Sequence, residues 1–157
     1  MKKNNRNSTR FKQMIMVVWV MMMGNMVFVV KSWPWLPQPF KKYHVNITNQ
    51  LANNKVLDVH CKSADDDLHP HSLAGGRSYQ FGFRINYVTT TLFWCNFWYD
   101  NYRHHAVFNV FDAEAKFVYL QCRDYWCNWE SRDDGFYLFD GETKSFKLTH
   151  KWDEKHI

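Results

Sequence analysis

TLFWCNFWYD, residues 91–100, is dense in aromatic side chains and contains neither Gly nor Pro. No helical period fits it, and its aromatic density favours an extended strand. At a period of two, Phe93, Cys95, Phe97 and Tyr99 share one face. Leu92, Trp94, Asn96, Trp98 and Asp100 share the other, where large rings mix with polar groups. The first is a core face and the second a half-covered aromatic surface. The segment is expected to be a central strand that other strands cover.

Short strand patterns separated by turn signals run outward from it. Upstream, YHVNITNQ (43–50) alternates Val45 and Ile47 with His44, Asn46 and Thr48, and Asn53-Asn54 marks a turn. VLDVHCKS (56–63) sets Leu57, Val59 and Cys61 against Asp58, His60 and Lys62. A polar loop is expected over 64–76. In RSYQFGFRI (77–85), Tyr79, Phe81, Phe83 and Ile85 share a face, and 86–90 connect to the central strand. Downstream, a polar loop at 101–105 precedes AVFNVFD (106–112), FVYLQCR (117–123), WCNWESR (126–132) and GFYLFD (135–140). SFKLTHKW (145–152) is a further strand candidate. About eight strands near ten-residue spacing, with no helical pattern, argue an all-β antiparallel β-sandwich or barrel.

The first 32 residues differ from the rest. Lys2, Lys3, Arg6, Arg10 and Lys12 precede a run at 14–30 that is apolar except for Gly24 and Asn25. This is the pattern of a helical secretory signal peptide, with cleavage expected after Ser32 and no stable membrane insertion afterwards. A Pro-rich leader, 33–42, then precedes one domain at 43–157. The whole chain holds 20 Lys+Arg against 15 Asp+Glu, but six of the cations and none of the acids fall in 1–32. The mature part is near neutral, so the basic excess is no argument for nucleic-acid binding. Cys61, Cys95, Cys122 and Cys127 all follow the leader, an even count that reads as two disulfides in an oxidising compartment. Three pairings exist on paper. Cys61 and Cys95 lie on apolar strand faces and Cys122 and Cys127 flank a hairpin-length stretch, which favours Cys61–Cys95 and Cys122–Cys127.

VNITNQL (45–51), LDVHCKSADDDL (57–68), YQFGF (79–83), TLFWCNF (91–97), FNVFD (108–112), QCRDYWCNW (121–129) and DGFYL (134–138) together resemble the plant self-incompatibility protein S1 family, the S-protein homologues. The resemblance spans about residues 43–152. It implies a small secreted two-disulfide β-sandwich without catalytic activity. It also implies an extracellular ligand for a plasma-membrane receptor, since the founding members are female determinants of pollen recognition. The family tends to carry Gly after DDDL, whereas His69-Pro70-His71 follows here, so an altered loop is expected.

Receptor contacts are expected on the loops: Asp65, Asp66, Asp67, His69 and His71 in the first, Arg103 and His104 in the second, Arg123 and Asp124 in the third. Asp65–Asp67 with His69 and His71 invites a metal reading, but the spacing fits no EF-hand, and a solvated turn with no metal is expected. His60, His104 and His105 invite a hydrolase reading, yet no spacing shows convergence and neither HGLWP nor KHG occurs. No enzyme and no cofactor is expected. Asn46-Ile47-Thr48 is an N-glycosylation sequon on a strand face turned to solvent. Trp94 and Trp98, with Trp126 and Trp129 near the cysteine hairpin, support a second reading, a cell-wall carbohydrate-binding module.

Overall fold

The computed structural model describes residues 41–153. The expected signal peptide, and all but the last two residues of the Pro-rich leader, lie outside the described residues. The described chain forms β1 (Lys42–Asn49), β2 (Leu57–Lys62), β3 (Asp67–Leu73), β4 (Ser78–Arg84), β5 (Leu92–Tyr99) and β6 (His104–Asp112). A short helix α1 (Ala115–Gln121) follows, then β7 (Cys122–Arg123), β8 (Trp126–Arg132), β9 (Gly135–Asp140) and β10 (Ser145–His150).

The strands build two sheets. One runs β10-β9-β8-β1-β4, with β7 paired to β8, and the other runs β3-β2-β5-β6. The stretch at 91–100 is an inner strand of the second sheet, and its inward face carries the buried Phe93, Cys95, Phe97 and Tyr99. The inward face of β1 alternates in the same way, burying Tyr43, Val45 and Ile47. Between the sheets the rings interlock. Phe83 of β4 meets Phe93 at 4.4 Å and Phe111 at 4.5 Å, and Phe136 of β9 meets Phe97 at 4.5 Å. A β-sandwich is therefore the fold.

Four features depart from the sequence expectation. The stretch 64–76 is not a loop: most of it is β3, an edge strand paired to β2. Both of its faces are largely exposed at the margin of the sheet, with Leu73 alone buried, so polar side chains occur on both parities and hide the period. FVYLQCR is a helix turn followed by a two-residue strand. Val118 points inward with Phe117, Leu120 and Gln121 half-buried, while Lys116 and Tyr119 are exposed, which is helical spacing. The strands number more than eight, and one pair, β1 with β8, is parallel. Finally, Trp129 is a core residue, 1% exposed, and not part of an aromatic surface.

Trp129 also ties the sheets together. β6 bulges opposite Phe93 and Trp94, leaving Val110 as the extra residue. Val110 and Phe111 are both buried as a result, and the Val110 carbonyl accepts a hydrogen bond from the Trp129 indole N–H at 2.9 Å. A second polar anchor is Asn49, fully buried at the end of β1. Its amide N–H groups donate to the Lys55 and Leu73 carbonyls, each at 2.8 Å, and its oxygen accepts from Leu51 N–H at 3.0 Å. A buried amide with all these partners pins the 50–56 connection to both sheets.

Both cystines join neighbouring strands. Cys61 of β2 lies directly opposite Cys95 of β5, and Cys122 of β7 directly opposite Cys127 of β8. The first closes 34 residues of chain and the second five. Loop-closure entropy therefore ranks them: removing the first pair (C61A/C95A) is expected to cost about 4 kcal/mol and removing the second (C122A/C127A) about 2 kcal/mol. Urea unfolding of the two double variants checks the ranking, and an inverted order defeats it.

Candidate functional site

The strand register divides the connections between the two ends of the sandwich. At the Asn49 end lie 50–56, 74–77, 100–103 and 133–134. At the Lys42 end lie 63–66, 85–91, α1 with the β7–β8 turn, and 141–144. The sequence-predicted site is thus split. Asp65, Asp66, Arg123 and Asp124 are at the Lys42 end, and Arg103 and His104 are at the opposite one. Asp67, His69 and His71 lie on β3.

At the Lys42 end the β7–β8 hairpin turns on Asp124 and Tyr125, both with positive φ. Two consecutive left-handed residues make a type I′ geometry that suits a tight hairpin. The disulfide directly behind it holds the turn. Arg123 donates from Nη1 to the Gly141 carbonyl at 3.1 Å, and the Gly141 N–H donates to the Leu120 carbonyl at 2.8 Å. The turn is therefore knitted to α1 and to the β9–β10 connection. Asp124 stands out in solvent, 90% exposed.

On β3, Asp67 accepts from His60 and from Lys62, the latter at 2.8 Å. Its carboxyl is held well below the ordinary range, first by the His60 hydrogen bond, then by Lys62 and the His69 backbone N–H. His71 stacks on Tyr79 at 3.9 Å and bonds the Leu68 carbonyl. These groups are committed to one another, and among the described residues no group of three or more His, Cys, Asp or Glu gathers to hold a metal ion. His69 has φ 58°, the left-handed conformation that glycine accepts freely, and it sits in a bulge opposite Cys61. The position thus keeps the backbone geometry a glycine would take, at the cost of a Cβ crowding the left-handed backbone.

The three histidines of the hydrolase reading do not meet. His60 bonds Asp67, and His105 lies 3.3 Å from Asp153 and stacks on Trp98. His104 faces inward and stacks on Tyr99 at 4.2 Å. On the outer face of β5, Trp94 and Trp98 are half-buried, and Tyr102 and His105 pack against Trp98. On the other sheet's outer face, Asn46 donates to Asn128 at 3.3 Å, and His44 stacks on Trp126 at 4.3 Å.

Sequence reasoning missed a cleft of about 520 Å³ beside β6. Its floor includes Phe108, Phe117, Trp129 and Leu138, and its rim includes Asp112, Glu114 and His150. The His150 ring lies flat on Phe108 at 4.1 Å, and partial desolvation lowers its pKa although much of the residue stays open to water. Residues of β6, α1, β8, β9 and β10 meet here, which no local pattern reveals.

Among the described residues, then, the chain is a two-disulfide β-sandwich with its turns grouped at two ends. The sequence profile described as "Plant self-incompatibility protein S1" matches residues 44–152, and the chain belongs to that family. It is 35% identical over 117 residues to S-protein homolog 2 of Arabidopsis thaliana, covering 74% of this chain and 71% of that protein. To S-protein homolog 8 of the same plant it is 35% identical over 113 residues, covering 71% and 82%. A solved structure described as that of "SPH (Self-Incompatibility Protein Homologue) proteins, a widespread family of small, highly stable, secreted proteins from plants" superposes with TM-score 0.58. Identity there is 18%, over 73% of this chain and 96% of the other, and it supports the fold.

Two outcomes are expected. His69→Gly removes a left-handed non-glycine residue and should stabilise the fold by about 1 kcal/mol in thermal or urea unfolding. Stability should also rise with pH. Asp67 and Asp140 are held low in the fold, Asp140 chiefly by Lys147, so their contribution is present above the ordinary carboxylate range and is lost on acidification. His150, also lowered, binds its proton more readily when unfolded, which acts in the same direction near pH ~6.5. Thermal midpoints should climb from about pH 3 to about pH 7. D67N should flatten the acid arm and H150Q the arm near neutrality.

Proposed function

We propose that this protein is exported from plant cells and acts in the apoplast as a ligand for a plasma-membrane receptor protein. Self-pollen rejection is the specific form that role takes if the protein is made in the pistil. The observation that carries the reading is the disulfide-backed turn of Asp124 and Tyr125, whose exposed Arg123 and Asp124 stand at the end that also presents 63–66, 86–91 and 141–144. Rigid turns on a cross-linked scaffold lose little entropy on binding, which favours specific recognition. Arg103 and His104, at the far end, then belong to a separate surface, and the Lys42 end is the primary contact. N-glycosylation of Asn46 would place a glycan on an outer sheet face and leave both ends clear.

The half-buried Trp94 and Trp98 on the outer face of β5 favour one rival, a carbohydrate-binding module. Binding of the purified product to plasma-membrane fractions and to cell-wall glycans separates the two. The receptor reading expects saturable, protease-sensitive membrane binding. A double variant in the Lys42-end turn, R123A/D124A, should weaken it by about tenfold or more, while R103A stays near wild type. Glycan binding lost in W94A, with protease-resistant or absent membrane binding, overturns the receptor reading.

A further inference from the structure

The cleft beside β6 takes no part in the receptor reading. It lies between β6, an edge strand of one sheet, and β8, β9 and β10 of the other, with Phe117 and Gln121 of α1 contributing to its lining. Its volume of about 520 Å³ falls in the range of small-molecule sites. Phe108, Trp129 and Leu138 form a buried apolar base, and Phe117 is half-buried beside them.

The charges of the lining have one sign. Asp112 and Glu114 stand in it, and no Lys or Arg does. Glu114 precedes α1, yet its carboxylate makes no cap bond to the helix. Asp112 accepts the Glu114 N–H at 2.9 Å. Among the described residues neither carboxylate has a cation within ion-pair distance. The basic groups nearest in sequence stand outside the lining: Lys116 on the exposed face of α1, Lys147 bonded to Asp140 at 2.7 Å, and the exposed Lys151. Partial desolvation favours the neutral form of His150, the remaining titratable group of the cleft. This lining selects among ligands. An anion meets two carboxylates and no cation. A metal ion meets too few ligands, since among the described residues no three of His, Cys, Asp or Glu gather to hold one. A neutral sugar meets little open ring to stack on, because His150 lies over Phe108 at 4.1 Å and Trp129 is almost wholly buried.

We propose that the cleft binds a small organic cation, an ammonium group carried on a compact hydrocarbon body. The ammonium donates to the carboxylates of Asp112 and Glu114, and the hydrocarbon rests against Phe117 and the His150 ring. Hydrogen bonds between two ionised groups are about twice as strong as neutral ones, and apolar surroundings strengthen them further. The free amides of Asn109 and Gln121 at the mouth can accept a further N–H of the ligand. The proposal does not rest on the receptor reading, because the purified protein and a dissolved amine are enough to test it.

The test titrates the mature product of the full-length chain, at neutral pH, with three probes of one shape and different charge: phenethylamine, phenethyl alcohol and phenylacetate. Calorimetry should show the amine binding at least ~tenfold more tightly than the alcohol, and the acid weakest of the three. The Trp129 indole N–H resonance should move as the amine is added, which places it in this cleft. E114Q and D112N should each weaken amine binding by about tenfold. N109W, which fills the mouth, should abolish it. E142Q and D65N remove carboxylates outside the cleft and should leave binding near wild type. Glu114 and Asn109 are exposed, so unchanged thermal midpoints separate loss of binding from loss of fold. No binding of the amine at millimolar concentration, equal binding of all three probes, an unmoved Trp129 resonance, or an E142Q loss as large as that of E114Q would each overturn the proposal.

Discussion

The bond between Cys61 and Cys95 holds β2 against β5 in one register. A slip of one residue would turn Leu57 and Val59 outward and carry Asp58 and His60 into the core. With that register locked, Phe93 and Phe97 stay on the face that meets Phe83 and Phe136 of the other sheet. The bulge at Val110 then presents its carbonyl to the Trp129 indole, and the two sheets are joined by a hydrogen bond as well as by ring packing. The edge strands and turns are hung on this frame, which is why β3 can carry a polar, bulged, histidine-rich sequence without loss of the fold.

How much of this was legible in the sequence depended on whether neighbours along the chain or neighbours in space decide the outcome. β1, β2 and β5 are inner strands with one face in the core, so burial imposes strict alternation and the period can be counted. β3 is an edge strand exposed on both faces, and Asp67, His69, His71 and Ser72, following Asp65 and Asp66, imitate a loop. In 117–123 the apolar residues fall on both parities. That ambiguity is itself the mark of a helix turn, but seven residues are too few to establish a period of 3.6. Trp129 looked like a surface ring because both faces of 126–132 carry large side chains. Only the packing of the other sheet, where β6 faces Trp129, determines which of them is buried. The cleft beside β6 is assembled from five elements and leaves no local signature.

Loop position shows the same limit. The turns at 64–76, 101–105 and 123–126 look equivalent along the chain, being polar and similarly spaced. Strand direction alone determines that the second opens at the far end. The two ends also differ in character. At the Asn49 end the connections are drawn inward, by the Asn49 amide and by the Trp152 indole donating to the Arg132 carbonyl at 2.8 Å. At the Lys42 end, turns anchored by their own residues point outward, with Asn86, bonded to Thr90 and Thr91, and the Cys122–Cys127 hairpin as the two clearest cases.

The parallel pairing of β1 with β8 joins residues some eighty positions apart, with β1 lying between β8 and β4. On a ribosome feeding the chain out from its N-terminus, β1 can recruit β4 early, but its other edge waits until the segment through Ser131 has emerged. Premature termination anywhere before that point would leave an open ladder of unpaired amides and carbonyls flanking a hydrophobic strand. Truncated alleles should therefore yield aggregated or degraded product instead of a smaller working domain.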